Sequence, residues 1–233
     1  MATSLDQTAT WKQLSALWAA AEVPTLPTVG RRYAILSDVH LGNGGGADDF
    51  WPNELHLLYA LDYYLQQGYE LVLLGDIEEF WQFDLSSIVR RYGETVYAAI
   101  RCYGEGRVHR VYGNHDIEWG GLVDPARQGA QQSALAVEAL RLEGPDGTRA
   151  LLLIHGHQGS LRADKFAWLS RFLVRLFRVV EPLALMIGIY RRGAVTKSRL
   201  ARDFGRTMYA WARAQRALLI CGHSHRPIFA SRS

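Results

Sequence analysis

Five times in this chain a short apolar run stops abruptly at residues able to bind a cation. Residues 33–37 lead into Asp38-Val-His40, 70–74 into Gly75-Asp76, and 108–112 into Gly113-Asn114-His115-Asp116. Residues 149–154 lead into His155-Gly-His157, and 218–221 into Gly222-His223-Ser224-His225. Runs of this length, rich in Val, Ile and Leu and closed by Gly or polar residues, predict buried strands. Between them Leu55, Leu58, Leu61 and Leu65 recur at helical spacing over 53–67, with Gly68 just past the end as a C-cap, and a second helix is expected over 86–103. Alternating strands and helices predict an α/β fold. In such sheets the carboxyl ends of the strands are where ligands bind. Six of the eight histidines lie in those five stretches.

The remaining segments are less regular. Residues 10–22 read as a short helix ended by Pro24 and Pro27, so 1–30 is expected to be a peripheral helical extension. Residues 136–142 and 149–154 flank Glu143-Gly-Pro-Asp-Gly147, which predicts a hairpin, with a helix over 130–142 as the alternative. Residues 160–215 carry Leu, Phe and Arg at helical spacing without a turn-rich linker, and two or three helices are expected there. With 233 residues, 48% of them hydrophobic, the chain can build a core without disulfides. Its two cysteines, Cys102 and Cys221, imply no disulfide framework and point to a reducing compartment. No apolar run reaches the roughly 20 residues of a membrane helix. The N-terminus lacks the basic start and apolar centre of a secretion signal. A cytoplasmic location is the expectation.

Each polar motif alone is weak: an Asp-x-His arises by chance, and Gly-Asn-His-Asp can be an ordinary turn. All five, each directly after an apolar strand, are hard to obtain by chance. Together they bring carboxylates, an amide oxygen and several imidazoles to one edge. Oxygen and nitrogen donors without thiolate suit Mn, Fe or Zn, and there are enough of them for two ions.

In this set of motifs the chain resembles the calcineurin-like metallophosphoesterases, whose signature runs Asp-x-His, Gly-Asp, Gly-Asn-His-Asp/Glu, His, Gly-His-x-His. The resemblance covers about residues 31–227. It implies a four-layer α/β/β/α sandwich, with residues 160–215 as a helical insertion. It also implies two divalent metal ions, manganese first, with iron or zinc as alternatives. Mapped onto this sequence, Asp38, His40, Asp76 and His225 would hold one ion, and Asp76, Asn114, His155 and His223 the other, with Asp76 bridging. His115 matches the catalytic histidine, with Asp116 orienting it. The implied activity is phosphoester hydrolysis by in-line attack of a hydroxide held between the ions. His157 is expected either behind the ligands or in a hydrogen bond at the rim.

Several neighbours of these motifs stay open. Asp48 and Asp49 either back the ligands or cap a helix. Glu79 stands where family members often carry an acidic residue, and Glu78 and Trp81 belong to the site rim or to surface and core. Residues 1–157 carry 11 Lys+Arg against 20 Asp+Glu, whereas 158–233 carry 15 against 3. Arg162, Arg171, Arg175, Arg178, Arg191, Arg192 and Arg199 lie within or beside an apolar helical pattern between the His155 and His223 motifs. That placement suits a lid over a substrate with a phosphate and a greasy part. It loosely resembles the helical insertion of the UDP-2,3-diacylglucosamine hydrolases, which act on a lipid-linked pyrophosphate. The expected partner is therefore a phosphorylated small molecule or lipid-linked substrate, with peripheral contact through 160–200 at the inner membrane face. The alternatives are a nuclease or phosphodiesterase on nucleic acid, or a non-catalytic scaffold that binds a protein. Scarce Lys and the lack of a basic strip interleaved with aromatics argue against nucleic acid. The intact ligand set argues against a scaffold.

Overall fold

The computed structural model describes residues 4–120, 136–147, 149–158 and 199–225. The order of elements is α1 (Ser4–Ala19), β1 (Thr25–Pro27), β2 (Tyr33–Leu36), α2 (Glu54–Gln66), β3 (Glu70–Leu74), α3 (Leu85–Tyr92), α4 (Val96–Arg101), β4 (Val108–Val111), β5 (Ala139–Glu143), β6 (Arg149–Ile154), α5 (Arg199–Gln215) and β7 (Leu218–Cys221). The fold is mixed α/β, and most strand pairs are parallel. β2, β3 and β4 form one parallel sheet, joined by helices as parallel neighbours require. The second sheet runs β1-β5-β6-β7, antiparallel only between β5 and β6.

The pleat sorts the apolar side chains into three cores. On β3, Leu71 and Leu73 face Leu61 of α2, Ile88 and Tyr92 of α3, and Tyr97 and Ile100 of α4. Val72 and Leu74, on the opposite face, meet Val111 and also Leu140, Leu142 and Leu153 of the second sheet. The outer face of that sheet presents Ala139, Leu152 and Ile154 to Leu14 of α1 and to Met208 and Trp211 of α5. Each sheet therefore has one face on the other sheet and one on helices, so its strands read as continuous apolar runs.

Several expectations change. The hairpin between β5 and β6 forms as expected, and 136–142 is not a helix. The helix expected over 86–103 is two helices, broken at residues 93–95, where Gly93 caps α3. The segment read as peripheral contributes α1, whose Leu14 is fully buried, and β1, the edge strand beside β5. Arg141 fastens α1 by donating to the carbonyl oxygens of Leu17 and Ala20. Pro27 is tolerated in β1 because an edge strand has a side that needs no ladder bond. Of the helices expected over 160–215, α5 lies on the outer core; residues 160–198, and with them most of the expected lid, lie outside the described residues. No helix among the described residues is long and apolar enough to cross a membrane.

Candidate metal centre

Strand ends bring the histidines and aspartates together. β2 delivers Asp38 and His40, β3 delivers Asp76, and β4 delivers Asn114 and His115. β6 and β7 of the facing sheet deliver His155, His223 and His225. Among the described residues six non-glycine residues have positive φ, and five of them are at this site: Asp38 (54°), His40 (54°), Asp76 (51°), His223 (68°) and His225 (49°). Left-handed backbone at such residues costs of the order of 1 kcal/mol each and persists where surrounding structure imposes it, commonly at functional sites. Here the imposing bonds are visible. The Asp38 N–H donates to the Gly75 carbonyl (3.1 Å) and the His40 N–H to the Asp76 carbonyl (3.0 Å), so the two turns run side by side. The His223 N–H donates to the Asp38 carboxylate (2.9 Å) and the His115 N–H to Asp76 Oδ1 (2.8 Å).

Three glycines are required by space. A Cβ at Gly113 would lie 2.1 Å from Asp76 Oδ1, and one at Gly222 would lie 2.1 Å from Ser37 Oγ. One at Gly75, itself at φ +80°, would lie 2.7 Å from the His155 ring.

Three sets of side chains each offer donor atoms within 4.8 Å of one another: Asp38, His40 and His225; Asp76, His155 and His223; and His40, Asp76 and His115. The first two fall within the two groups the resemblance implies, without Asp76 in the first and Asn114 in the second, and the third joins them. His155 Nε2 lies 3.0 Å from Asp76 Oδ2, His225 Nε2 lies 3.3 Å from Asp38 Oδ1, and His40 Nε2 lies 3.9 Å from Asp76 Oδ2. His155 Nδ1 donates to the Leu74 carbonyl (3.1 Å), which leaves Nε2 facing Asp76 and able to offer a donor atom to a cation. Metal-binding histidines characteristically hold their second ring nitrogen this way. His40 does the same through Nδ1, 2.9 Å from Glu79 Oε2. Asn114 Oδ1 is buried without a hydrogen-bond partner. A buried unsatisfied group costs about 1–3 kcal/mol, a cost that a bound cation would remove. The donor set, all oxygen and imidazole nitrogen, fits Mn, Fe or Zn.

Charge follows the same geometry. Burial pushes the Asp76 carboxyl up, but the contact with His155 and the nearby His115 and His40 outweigh it and hold the group well below the usual range. Burial likewise works against ionised Glu79, yet bonds to His115 and His40 bring it down to about 2. Burial and then the neighbouring His155 lower His223 to about 4. His157, buried beside His155 and His223, is lowered to about 3. These two rings are neutral at pH 7, the form in which imidazole binds a metal.

Asp116 requires a correction. It does not orient His115. Its oxygens accept the N–H groups of Ile77 (2.8 Å) and Gly113 (2.5 Å), tying the β3 turn to the β4 turn. Burial, then the Glu78 and Asp76 carboxylates, raise Asp116 to about 7. The partner of His115 is Glu79, whose Oε1 lies 2.8 Å from Nδ1. Trp81 stacks on the same ring at 4.0 Å and donates its indole N–H to the Asn114 carbonyl (2.8 Å). The resemblance assigned that task to Asp116, but the carboxylate of Asp116 is taken up by the N–H groups of the two turns.

The open neighbours also find places. Asp48 accepts from the N–H groups of Gly44, Phe50 and Trp51 and from the Tyr92 hydroxyl, which fixes the glycine-rich loop after His40. Asp49 is exposed. Glu78 is fully buried, away from the rim, bonded to Tyr97, Arg110 and Trp119. His157 is buried, and its Nδ1 has no hydrogen-bond partner. Ser37, which sequence reasoning passed over, sets its hydroxyl 2.7 Å from Asp38 Oδ2 and 2.9 Å from the Leu74 carbonyl. Its place directly before Asp38 was the available signal. Compared with known proteins, the chain matches no family model and no curated protein at a significant level.

Proposed function

We propose that the chain is a dinuclear metal-dependent phosphoester hydrolase of the calcineurin-like type. The observation that carries this reading is the meeting of two His/Asp groups around Asp76 at the ends of strands from two facing sheets. The sequence of cores, helices on one sheet and helices on the other with apolar side chains between the sheets, supports a four-layer α/β/β/α sandwich. Asp38, His40, Asp76 and His225 would hold one cation, and Asp76, Asn114, His155 and His223 the second. Bound there, a cation pair supplies a nucleophile at neutral pH and offsets the charge that builds on phosphoryl oxygens.

The chain's own residues do the rest. His115, held at Nδ1 by Glu79 and stacked on Trp81, has Nε2 left to stabilise or protonate a leaving oxygen. Asp38 and Asp76 are kept ionised by the imidazoles around them, ready for cations.

The substrate is proposed to be a phosphate ester with an apolar part. Residues on either side of 160–198 lie against the site: His157 packs near His155 (ring centroids 5.6 Å) and Phe204 near His223 (5.8 Å). The intervening sequence is apolar and rich in Arg, whose planar fork suits phosphate.

The test is metal content and turnover of bis(p-nitrophenyl) phosphate and p-nitrophenyl phosphate with Mn²⁺, followed by a screen of lipid pyrophosphates, nucleotides, phosphoproteins and polynucleotides. His115→Ala is expected to retain metal and lose turnover, and Asp76→Ala to lose both. Full activity in His115→Ala overturns the assignment of roles. A wild-type protein that binds no divalent metal overturns the reading as a whole.

A further inference from the structure

We infer that the outer face of α2 is the contact between two copies of this chain in a two-fold symmetric dimer. The inference is independent of the hydrolase reading. α2 is apolar on both sides. Leu58, Leu61 and Leu65 pack into the core against β3, as an amphipathic helix should. The opposite side of such a helix is ordinarily polar. Here it carries Leu55, 78% exposed, Tyr59, 75% exposed, and Tyr63, 50% exposed. Trp51, 56% exposed, stands four residues before Leu55 in the turn that leads into the helix. Residues four apart are neighbours on a helix surface, so Leu55, Tyr59 and Tyr63 form one continuous row.

A helix that is apolar all round is normally buried. The four side chains leave roughly 600 Å² open to water, since an aromatic side chain spans about 150–250 Å². That is as large as the largest apolar patch of an ordinary monomer. It falls somewhat short of the about 800 Å² that each partner contributes to a standard interface, so the dimer belongs to the weaker class. Tyr and Trp are the residues that most often anchor such contacts.

Charge selects a second copy over a lipid surface. Helices that lie on membranes carry Lys and Arg beside the apolar face. α2 has no Lys or Arg, and its charged residues are Glu54 and Asp62. His56 and Asp62 are both exposed, three residues before and three after Tyr59, and therefore flank the row on opposite sides. In the commonest helix crossing the i±4 rows of the two helices lie along each other. A two-fold axis parallel to the rows then sets the His56 flank of each copy on the Asp62 flank of the other. One Asp62 oxygen already accepts from Gln66 (2.8 Å), and the other faces the imidazole N–H of the second copy. Tyr59 and Leu55 supply the affinity, and the two rim pairs set the register.

Sedimentation velocity of the full chain between about 1 and 200 µM tests this, the range that a contact of this size implies. Wild type is expected to pass from monomer to dimer across that range. Tyr59→Arg, which sets two like charges near the axis, is expected to stay monomeric with unchanged circular dichroism. Leu55→Arg serves the same purpose should Tyr59→Arg fail to fold. His56→Glu is expected to weaken the dimer several-fold, and His56→Glu together with Asp62→Lys to restore it.

A wild type that stays monomeric at the highest concentration overturns the inference, as does a dimer that Tyr59→Arg and Leu55→Arg leave intact. A dimer indifferent to both changes at His56 and Asp62 overturns the two-fold arrangement. A monomer that sediments with phosphatidylcholine–phosphatidylglycerol vesicles, and ceases to in Tyr59→Arg, gives the face to a lipid surface and overturns the dimer.

Discussion

Asp116 joins two turns that come from different strands, and its removal should be felt in stability before chemistry. Asp116→Ala leaves the buried N–H groups of Ile77 and Gly113 without their acceptor. At about 1–3 kcal/mol for each, the variant should lose roughly 2–6 kcal/mol in urea unfolding, while the His115 ring keeps its bond to Glu79. In the proposed centre, protons and cations would compete for the same histidines. Burial lowers His40 and His155, but the bonds to Glu79 and Asp76 outweigh it, so both rings hold a proton at higher pH than a free histidine. Their unperturbed value is about 6.5. Metal affinity should therefore already weaken as pH falls from about 8 toward 6, which calorimetric Mn²⁺ titration at several pH values would measure; an affinity flat across that range contradicts it. At this scale the residue types of the site were legible in sequence but their pairings were not. Asp38, His40, Asp76, Asn114, His155, His223 and His225 stand at strand ends that apolar patterning locates. That Glu79 rather than Asp116 meets His115 depends on how the turn after β3 lies along the turn after β4, which no spacing rule reports.

The strand-to-turn junctions depend on glycines with different physical reasons. Gly75 needs both its left-handed backbone and the space in front of His155. Gly113 needs only space, because its Cβ would strike Asp76 Oδ1 at 2.1 Å. Gly113→Ala should therefore push the Asp76 carboxylate aside and cost metal affinity by at least about tenfold, with little change in far-UV circular dichroism. Wild-type affinity in this variant would show that Asp76 lies elsewhere when metal is bound. Strands β3 and β6 fall where the apolar runs predict them, since strands buried on both faces leave a continuous signal, and β7 also falls where its run predicts although Leu218 and Ile220 are exposed. The helix expected over 86–103 failed because Gly93 caps α3 and α4 restarts at Val96, a break that apolar periodicity runs straight across. β1 was missed because a three-residue edge strand containing Pro27 carries almost no pattern of its own.

Strand patterning also left open how many sheets there are, because runs buried on both faces look alike whether the cover is a helix or another sheet. The answer matters for the site. Asp38, His40, Asp76, Asn114 and His115 ride on the β2-β3-β4 sheet, and His155, His223 and His225 on the other, with Val72, Leu74, Leu140, Leu142 and Leu153 packed between. Cations bound at this edge would fasten the two sheets to each other. Mn²⁺ at about one hundred times its dissociation constant should raise unfolding free energy by about 2.7 kcal/mol, and a chelator should reverse it. A melting temperature indifferent to both would mean that no cation binds the folded chain. The donors run from residue 38 to residue 225, so the full set exists only once β7 has been made. A nascent chain leaving the ribosome would carry Asp38, His40 and Asp76 long before His223 and His225 exist. Loading of the proposed cation pair would thus wait until β7 has been made and laid beside β6.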